Sequence, residues 1–347
     1  MKGFTTVHRE LILVLYFLFS GIEGYSQSPE FSLREFASGQ IKKGVRSIGM
    51  GGDGATWGNY SLVWRDSSTA LLDFGSTQYT NNNNFGFTAV GVTLPPLKHG
   101  ITFFVIAISQ RANNIATSLK LPGLGKTPVP MQGDGSNQVV FVKMAMPLGK
   151  GFSFGFLLSY ERTIFDAVSN MDPQVYARYH TEWLPSGGFG FSWQPNRRIL
   201  VGMRALFNND HETIIDNAST SNGLNNTQEY RLGVSIEVWK GALLDVGGNI
   251  RHRSNQIYNT SSTATEPNMG FEQNVWHRHF AFRFGLDETS ETAGMSFRFS
   301  PMVFDFAYVH NMAIARVGPI FGTTSNSVIA TILFDFGNYL DKKGRVN

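Results

Sequence analysis

Phe152-Ser153-Phe154-Gly155-Phe156-Leu157-Leu158-Ser159-Tyr160-Glu161 sorts its residues onto two unlike faces. In an extended strand Phe152, Phe154, Phe156, Leu158 and Tyr160 share one side, while Ser153, Gly155, Ser159 and Glu161 share the other. The pattern recurs down the chain. Tyr230, Leu232, Val234, Ile236 and Val238 oppose Arg231, Gly233, Ser235 and Glu237. Leu244, Val246 and Ile250 oppose Asp245, Gly247, Asn249, Arg251 and Arg253; Phe280, Phe282 and Phe284 oppose His279, Ala281 and Arg283. Phe304, Phe306 and Tyr308 oppose Asp305 and Ala307, and Val328, Ala330, Ile332, Phe334 and Phe336 oppose Thr331 and Asp335.

A soluble β-sandwich or propeller buries its large apolar face and shows a Lys- and Glu-rich face to water. Here the small face is Gly, Ser and isolated Arg or Asp, which suits a narrow, crowded lumen, and the aromatic face suits lipid. Composition agrees. Only 16% of residues are charged, against about 25% in average soluble domains. Phe (29) and Gly (37) are abundant, yet mean hydropathy is −0.12, too low for a helical membrane protein. The expected fold is an all-β transmembrane antiparallel barrel of roughly 12–14 strands.

Residues 1–26 have the layout of a secretory signal. Lys2, His8 and Arg9 precede an apolar run from Leu11 to Phe19, shorter than the ~20 residues a spanning helix needs. Small residues at Gly24 and Ser26 place cleavage before Gln27. Residues 27–76 are expected to form an N-terminal segment and hatch, 77–337 the barrel, and 338–347 a short polar tail. Tight breaks at 95–100, 149–151, 194–198 and 240–242 alternate with longer polar stretches near 113–136, 167–175, 216–227 and 259–274. Outer-membrane barrels alternate short periplasmic turns with long extracellular loops in this way, so these stretches are expected to be loops. A weak early run covers Asp73 to Thr80, and 243–300 divides into three or four strands.

The segment Gly44-Val45-Arg46-Ser47-Ile48-Gly49-Met50-Gly51-Gly52, running on to Gly75, is too polar to cross a bilayer and too rich in glycine for a firm helix. Ahead of a barrel it has the size and texture of a plug. With Asp53-Gly54-Ala55, it resembles the N-terminal segment of the FadL/TodX outer-membrane transporters and their PorV/PorQ relatives of type IX secretion. Met302-Val303-Phe304-Asp305-Phe306-Ala307-Tyr308 is similar to that superfamily's penultimate strand. The resemblance covers the plug and the C-terminal quarter. The resemblance implies a barrel of about 14 strands with an N-terminal hatch in the lumen, here Gly44, Arg46, Gly49, Met50, Gly51 and Gly52. FadL-like members pass hydrophobic molecules inward; PorV-like members handle secreted proteins. Family hatches carry Asn-Pro-Ala after an aromatic residue, where this chain has Trp64-Arg65-Asp66-Ser67-Ser68-Thr69-Ala70.

The expected function is passive uptake of a small hydrophobic compound; the alternative is a secretion component that docks partner proteins. Trp57 and Trp64 in the plug, with Ile115, Leu119, Leu121 and Leu124 in the apolar stretch after Asn113, are the candidate ligand contacts. Lys143, Arg204, Arg231, Arg251, Arg253, Arg283 and Arg298 are expected to point into the lumen. So are Glu161, Glu237, Asp245, Asp305 and Asp335, pairing with the bases across strands because a lone buried charge is costly. Trp183, Trp193, Trp239 and Trp276 fall where interfacial girdles lie. Ile101 to Ile108 is apolar on both faces and offers a local apolar wall or lateral exit.

Other chemistry finds little footing. Zero cysteines exclude disulfides, a thiolate zinc site and a lipid anchor on cysteine. A net charge of +3 without a basic run gives no basis for nucleic-acid binding. The glycines at 49–54 lack the strand, helix and Lys-Ser/Thr of a phosphate loop, and the histidines have no acidic partner at ligand spacing. No catalytic residue, metal or cofactor is expected. The partners expected are outer-membrane lipids, a hydrophobic small molecule and, in the alternative, secretion-system proteins.

Overall fold

The computed structural model describes residue 50 and residues 70–79, 84–94, 97–119, 129–217, 219–257, 259–276, 279–287, 290–299, 302–312 and 325–335. The strands are β1 (Ala70–Tyr79), β2 (Asn84–Thr93), β3 (Thr102–Leu119), β4 (Val129–Gly149) and β5 (Phe152–Ser169). They continue as β6 (Tyr176–Thr181), β7 (Leu184–Asn196), β8 (Ile199–Asp216), β9 (Thr220–Trp239) and β10 (Ala242–Asn255). β11 (Thr260–Val275), β12 (Phe280–Asp287), β13 (Glu291–Phe299), β14 (Met302–Met312) and β15 (Ser325–Asp335) complete the wall.

Apart from β6 and β7, each strand pairs antiparallel with its sequence neighbours, and β1 pairs with β15, so the sheet closes on itself. Closure removes the unpaired edge that hydrocarbon would not tolerate. β6 and β7 share one place between β5 and β8, which gives a ring of fourteen places. Between them one extra residue is taken up at Glu182–Trp183, so Ala177, Tyr179 and Thr181 face inward on β6 but Ser186, Gly190 and Ser192 on β7.

Burial runs opposite to that of a soluble sheet. On β5, Ser153, Ser159, Glu161 and Thr163 are buried, while Phe152, Phe156, Leu158 and Tyr160 are exposed. The same inversion exposes Leu232 (59%) and Phe284 (61%) beside buried Arg231 and Arg283. Soluble monomers do not present an unbroken aromatic and aliphatic belt of this kind. From Phe152 to Tyr160 the exposed band covers about nine residues, the span a tilted strand needs to cross a bilayer. Trp193, Trp239 and Trp276 are exposed at one edge of the band, beside Phe152 and Phe299. Phe152 stacks on Trp193 at 5.7 Å, and Trp276 stacks on Phe280 at 5.4 Å. Tyr160, Tyr230 and Tyr308 lie toward the other edge, and exposed Trp183 sits just beyond it at the bulge.

All connections at the Trp edge are short. Gly149, Lys150 and Gly151 take positive φ (88°, 50° and 81°) to close β4 on β5, and a Cβ on Gly151 would overlap the Gln194 carbonyl. Gly241 does the same between β9 and β10. Toward the other end β3 to β11 run well past the band, and this corrects four expected loops. Within 113–136, residues 113–119 belong to β3 and 129–136 to β4, with 120–128 outside the described residues, and the β5–β6 connection is 170–175. The supposed loop 216–227 is mostly β9, and 259–274 is β11. Polar residues on both faces suggest a loop; beyond the bilayer a paired strand meets water on its outer face and carries the same composition. The expected barrel start at residue 77 is corrected too, since β1 begins at Ala70, and 243–300 holds four strands. The signal peptide and the polar tail lie outside the described residues.

Replacing Phe156, in mid-band, with Arg is expected to destabilise the folded barrel by about 2–4 kcal/mol, read as a lower urea midpoint for folding into lipid vesicles. Val168→Arg, on the same outer face beyond the band, is expected to leave that midpoint far less changed.

Candidate functional site

The lumen has two unlike walls. On the first, the register of β8, β9 and β10 sets Arg204 opposite Arg231 and Glu229 opposite Arg251. Two arginines facing each other repel. Glu229 offsets this, with ion pairs to Arg231 (2.6 Å), Arg251 (3.1 Å) and Arg204 (3.6 Å). Arg251 reaches on to Glu266 of β11 at 3.1 Å, and Asn249 donates to the same carboxylate at 3.0 Å. Farther round, the fully buried Arg283 guanidinium forks to Glu272 (2.7 Å), Asp305 (3.0 Å) and the Ser296 hydroxyl (2.5 Å), tying β12 to β11, β13 and β14. Neutral donors reach three further acids. Glu212 accepts from Tyr179 (2.9 Å), Asn225 (2.5 Å) and Asn255 (2.9 Å). Glu161 accepts from Asn137 (2.8 Å), and Asp245 from Ser235 (2.5 Å).

The second wall is apolar. Ala89 of β2, Ile106 and Ile108 of β3 and Val139 of β4 form a buried cluster on the inner face, with Phe104 and Phe141 packed against it. Register makes it: Ala89 faces Ile108, and Ile106 and Ile108 face Phe141 and Val139. Lys143 lies at its margin, with Nζ 6.0 Å and 5.4 Å from the Phe104 and Phe141 ring centroids. Counted round the ring, β3 lies across from β11, so the apolar wall faces the middle of the ionic one. Among the described residues no group of three or more His, Asp or Glu side chains converges as a metal site.

Sequence-expected positions sort as follows. Glu161, Arg204, Arg231, Asp245, Arg251, Arg253, Arg283, Arg298 and Asp305 lie on the inner face with Lys143. Glu237 is on that face but at the strand end, where it accepts the Gly241 amide at 3.2 Å across the β9–β10 turn. Asp335 pairs with Leu71 in the β15–β1 ladder; its side chain is outside the described residues. Ile115 and Leu119 belong to β3, opposite Gly133 and Val129, rather than to a loop. Leu121, Leu124, Trp57, Trp64, Gly44, Arg46, Gly49, Gly51 and Gly52 lie outside the described residues. Met50 is described, buried at 4%, with its backbone against Gly270 on the inner face of β11.

Sequence reasoning missed Asp210, Glu212, Glu229, Glu266 and Glu272, all on inner faces. With them, the expected surplus of luminal bases becomes a surplus of acids among the described residues. The signal was present for Glu229, two residues before Arg231 on one face. Glu266 and Glu272 were hidden in a stretch assigned to a loop.

Neither a protein-family model nor a curated protein matches the sequence. Solved structures do match. The toluene transporter TbuX of Ralstonia pickettii aligns over 85% of this chain and 98% of its own, at 13% identity and a TM-score of 0.53. The toluene transporter TodX of Pseudomonas putida aligns over 84% and 97%, at 8% identity and 0.52. A FadL homologue of Pseudomonas aeruginosa aligns over 82% and 92%, at 9% identity and 0.51. The chain has the all-β barrel fold of FadL/TodX-type outer-membrane transporters.

Removing the Arg283 guanidinium takes away the cation that buried Glu272 and Asp305 share. Arg283→Met is expected to cost about 3–5 kcal/mol, measured from the urea midpoint. Arg283→Met with Glu272→Gln and Asp305→Asn is expected to recover a large part of it.

Proposed function

We propose that this barrel lies in the outer membrane of a Gram-negative bacterium and passes small hydrophobic compounds inward by passive diffusion. One observation carries the reading: the buried cluster of Ala89, Ile106, Ile108 and Val139 lies on the inner face across the ring from an ionic wall. A wide aqueous pore would have no use for a greasy strip, and ion-pair neutralisation of the opposite wall keeps that side from competing for water-soluble anions. An apolar solute sheds water at such a strip and moves along it, gaining about 25 cal/mol per Å² of apolar surface covered. β3 is apolar outward too, at Phe103, Val105 and Ala107, so this wall is where we place a sideways exit into lipid.

Support comes from the fold shared with two toluene transporters and a FadL homologue. Capture from outside we assign to the stretch after Asn113, with Ile115, Leu119, Leu121 and Leu124, and contact inside the mouth to Trp57 and Trp64. The hatch is assigned to Gly44, Arg46, Gly49, Met50, Gly51 and Gly52. No catalytic step or cofactor enters. The docking of secreted proteins has no observation in its favour.

Purified protein in liposomes is expected to admit radiolabelled toluene faster than empty vesicles. Ile108→Ser is expected to slow that flux about tenfold, the equivalent of ~1.4 kcal/mol of lost apolar contact, while the barrel keeps its heat-modifiable migration. Flux no greater than in empty vesicles contradicts the proposal.

A further inference from the structure

At the long-strand edge of the band the outer face changes chemistry within one or two steps of each strand. Past Ala107 on β3 come Ser109 and Arg111; past Val140 on β4 comes Gln138; past Tyr160 on β5 comes Arg162. Arg111, Gln138 and Arg162 are all exposed. Gln138 faces Arg162 across β4 and β5, and Arg111 faces Ser136, the next outward residue of β4. Two strand spacings and an offset of two residues put the Cα atoms of the arginines roughly 12 Å apart. Side chains of that length close such a gap on a single phosphate between them, with the Gln138 amide as a further donor.

These arginines stand outside the barrel, apart from the ionic wall of the lumen. Neither makes an ion pair with another described residue. Four residues above Arg162, Asp166 is held by Arg178 at 2.5 Å. Glu182, exposed at the bulge beside Trp183, is an acid near the level of Arg162. Beneath the pair, Val140 (39%), Val142 (37%) and Tyr160 (44%) are exposed to the hydrocarbon side.

Height narrows the choice of lipid. A phospholipid headgroup layer is about 5–8 Å deep. The paired wall rises farther, since β5 runs eight residues beyond Glu161 to Ser169, about 20 Å for a strand tilted near 40°. On that raised outer face β9 and β11 present Asn226, Gln228, Thr263 and Thr265. Uncharged amides and hydroxyls both donate to and accept from sugar hydroxyls, and exposed Trp183 adds a flat apolar face.

We propose that Arg111, Gln138 and Arg162 hold a phosphate of a phosphorylated glycolipid in the outer leaflet. Its acyl chains lie along Val140, Val142 and Tyr160, and its sugars rise along the raised wall. The cationic pair supplies the charge that the phosphate requires, and the apolar band fixes the depth at which they meet. The site takes from the proposed function only which end of the barrel faces outward, and it holds whether or not toluene passes.

Native mass spectrometry of the purified barrel in detergent, titrated with bisphosphorylated lipid A or with phosphatidylglycerol, tests the site. Lipid A carries a second phosphate and is expected to bind about fivefold more tightly, the effect of one more basic contact. Arg111→Gln and Arg162→Gln are each expected to weaken lipid A binding about fivefold, and together about 25-fold, with heat-modifiable migration unchanged. Lys240→Gln, at a turn on the Trp edge, should leave it unaltered. Should the double variant fail to assemble, the preference of the unaltered barrel for lipid A decides. Phosphatidylglycerol bound as tightly as lipid A, or lipid A binding unmoved by the double substitution, overturns the proposal. Retained lipid A without toluene flux would sink the uptake reading and leave the lipid site standing.

Discussion

Hydrocarbon on the outside of a closed sheet obliges each charge in the bilayer-spanning part of its strands to be satisfied on the inside. An ion pair brought out of water costs several kcal/mol per ion unless geometry and extra hydrogen bonds return it. The lumen answers with sharing. One carboxylate, Glu229, serves Arg204, Arg231 and Arg251, and one guanidinium, Arg283, serves Glu272, Asp305 and Ser296. With the Arg251–Glu266 pair, these contacts brace β8 to β11 and β11 to β14 along the ionic wall.

The apolar wall follows from the same constraint seen from the other side. On β2, β3 and β4 the apolar cluster fills this side of the lumen, and Lys143 at its margin sits by aromatic faces. A lumen divided in this way is ionic on one side and greasy on the other. On the proposed uptake reading, a hydrophobic solute follows the greasy side.

How much of this was legible in the sequence depended on what neighbours each residue. Within the bilayer the two environments are opposite, so alternation from Phe152 to Glu161 gives both strand and facing without ambiguity. Beyond it, both faces of β9 near Thr220 and of β11 near Thr260 tolerate polar residues, alternation fades, and strand resembles loop. That loss concealed Glu266 and Glu272 and, with them, the partners of Arg251 and Arg283. The apolar wall was visible as a run without alternation, Ile101 to Ile108, but its position opposite β11 needed ring closure. Gly270 was indistinguishable from other strand glycines until Met50 lay against it.

Oxygen and nickel-chelate accessibility of a spin label, moved one residue at a time from 152 to 161 in lipid vesicles, measures most directly which face meets hydrocarbon. The account predicts high oxygen accessibility at 152, 154, 156, 158 and 160, and low values for both reagents at 153, 155, 159 and 161. Reversed alternation, or none, would contradict it.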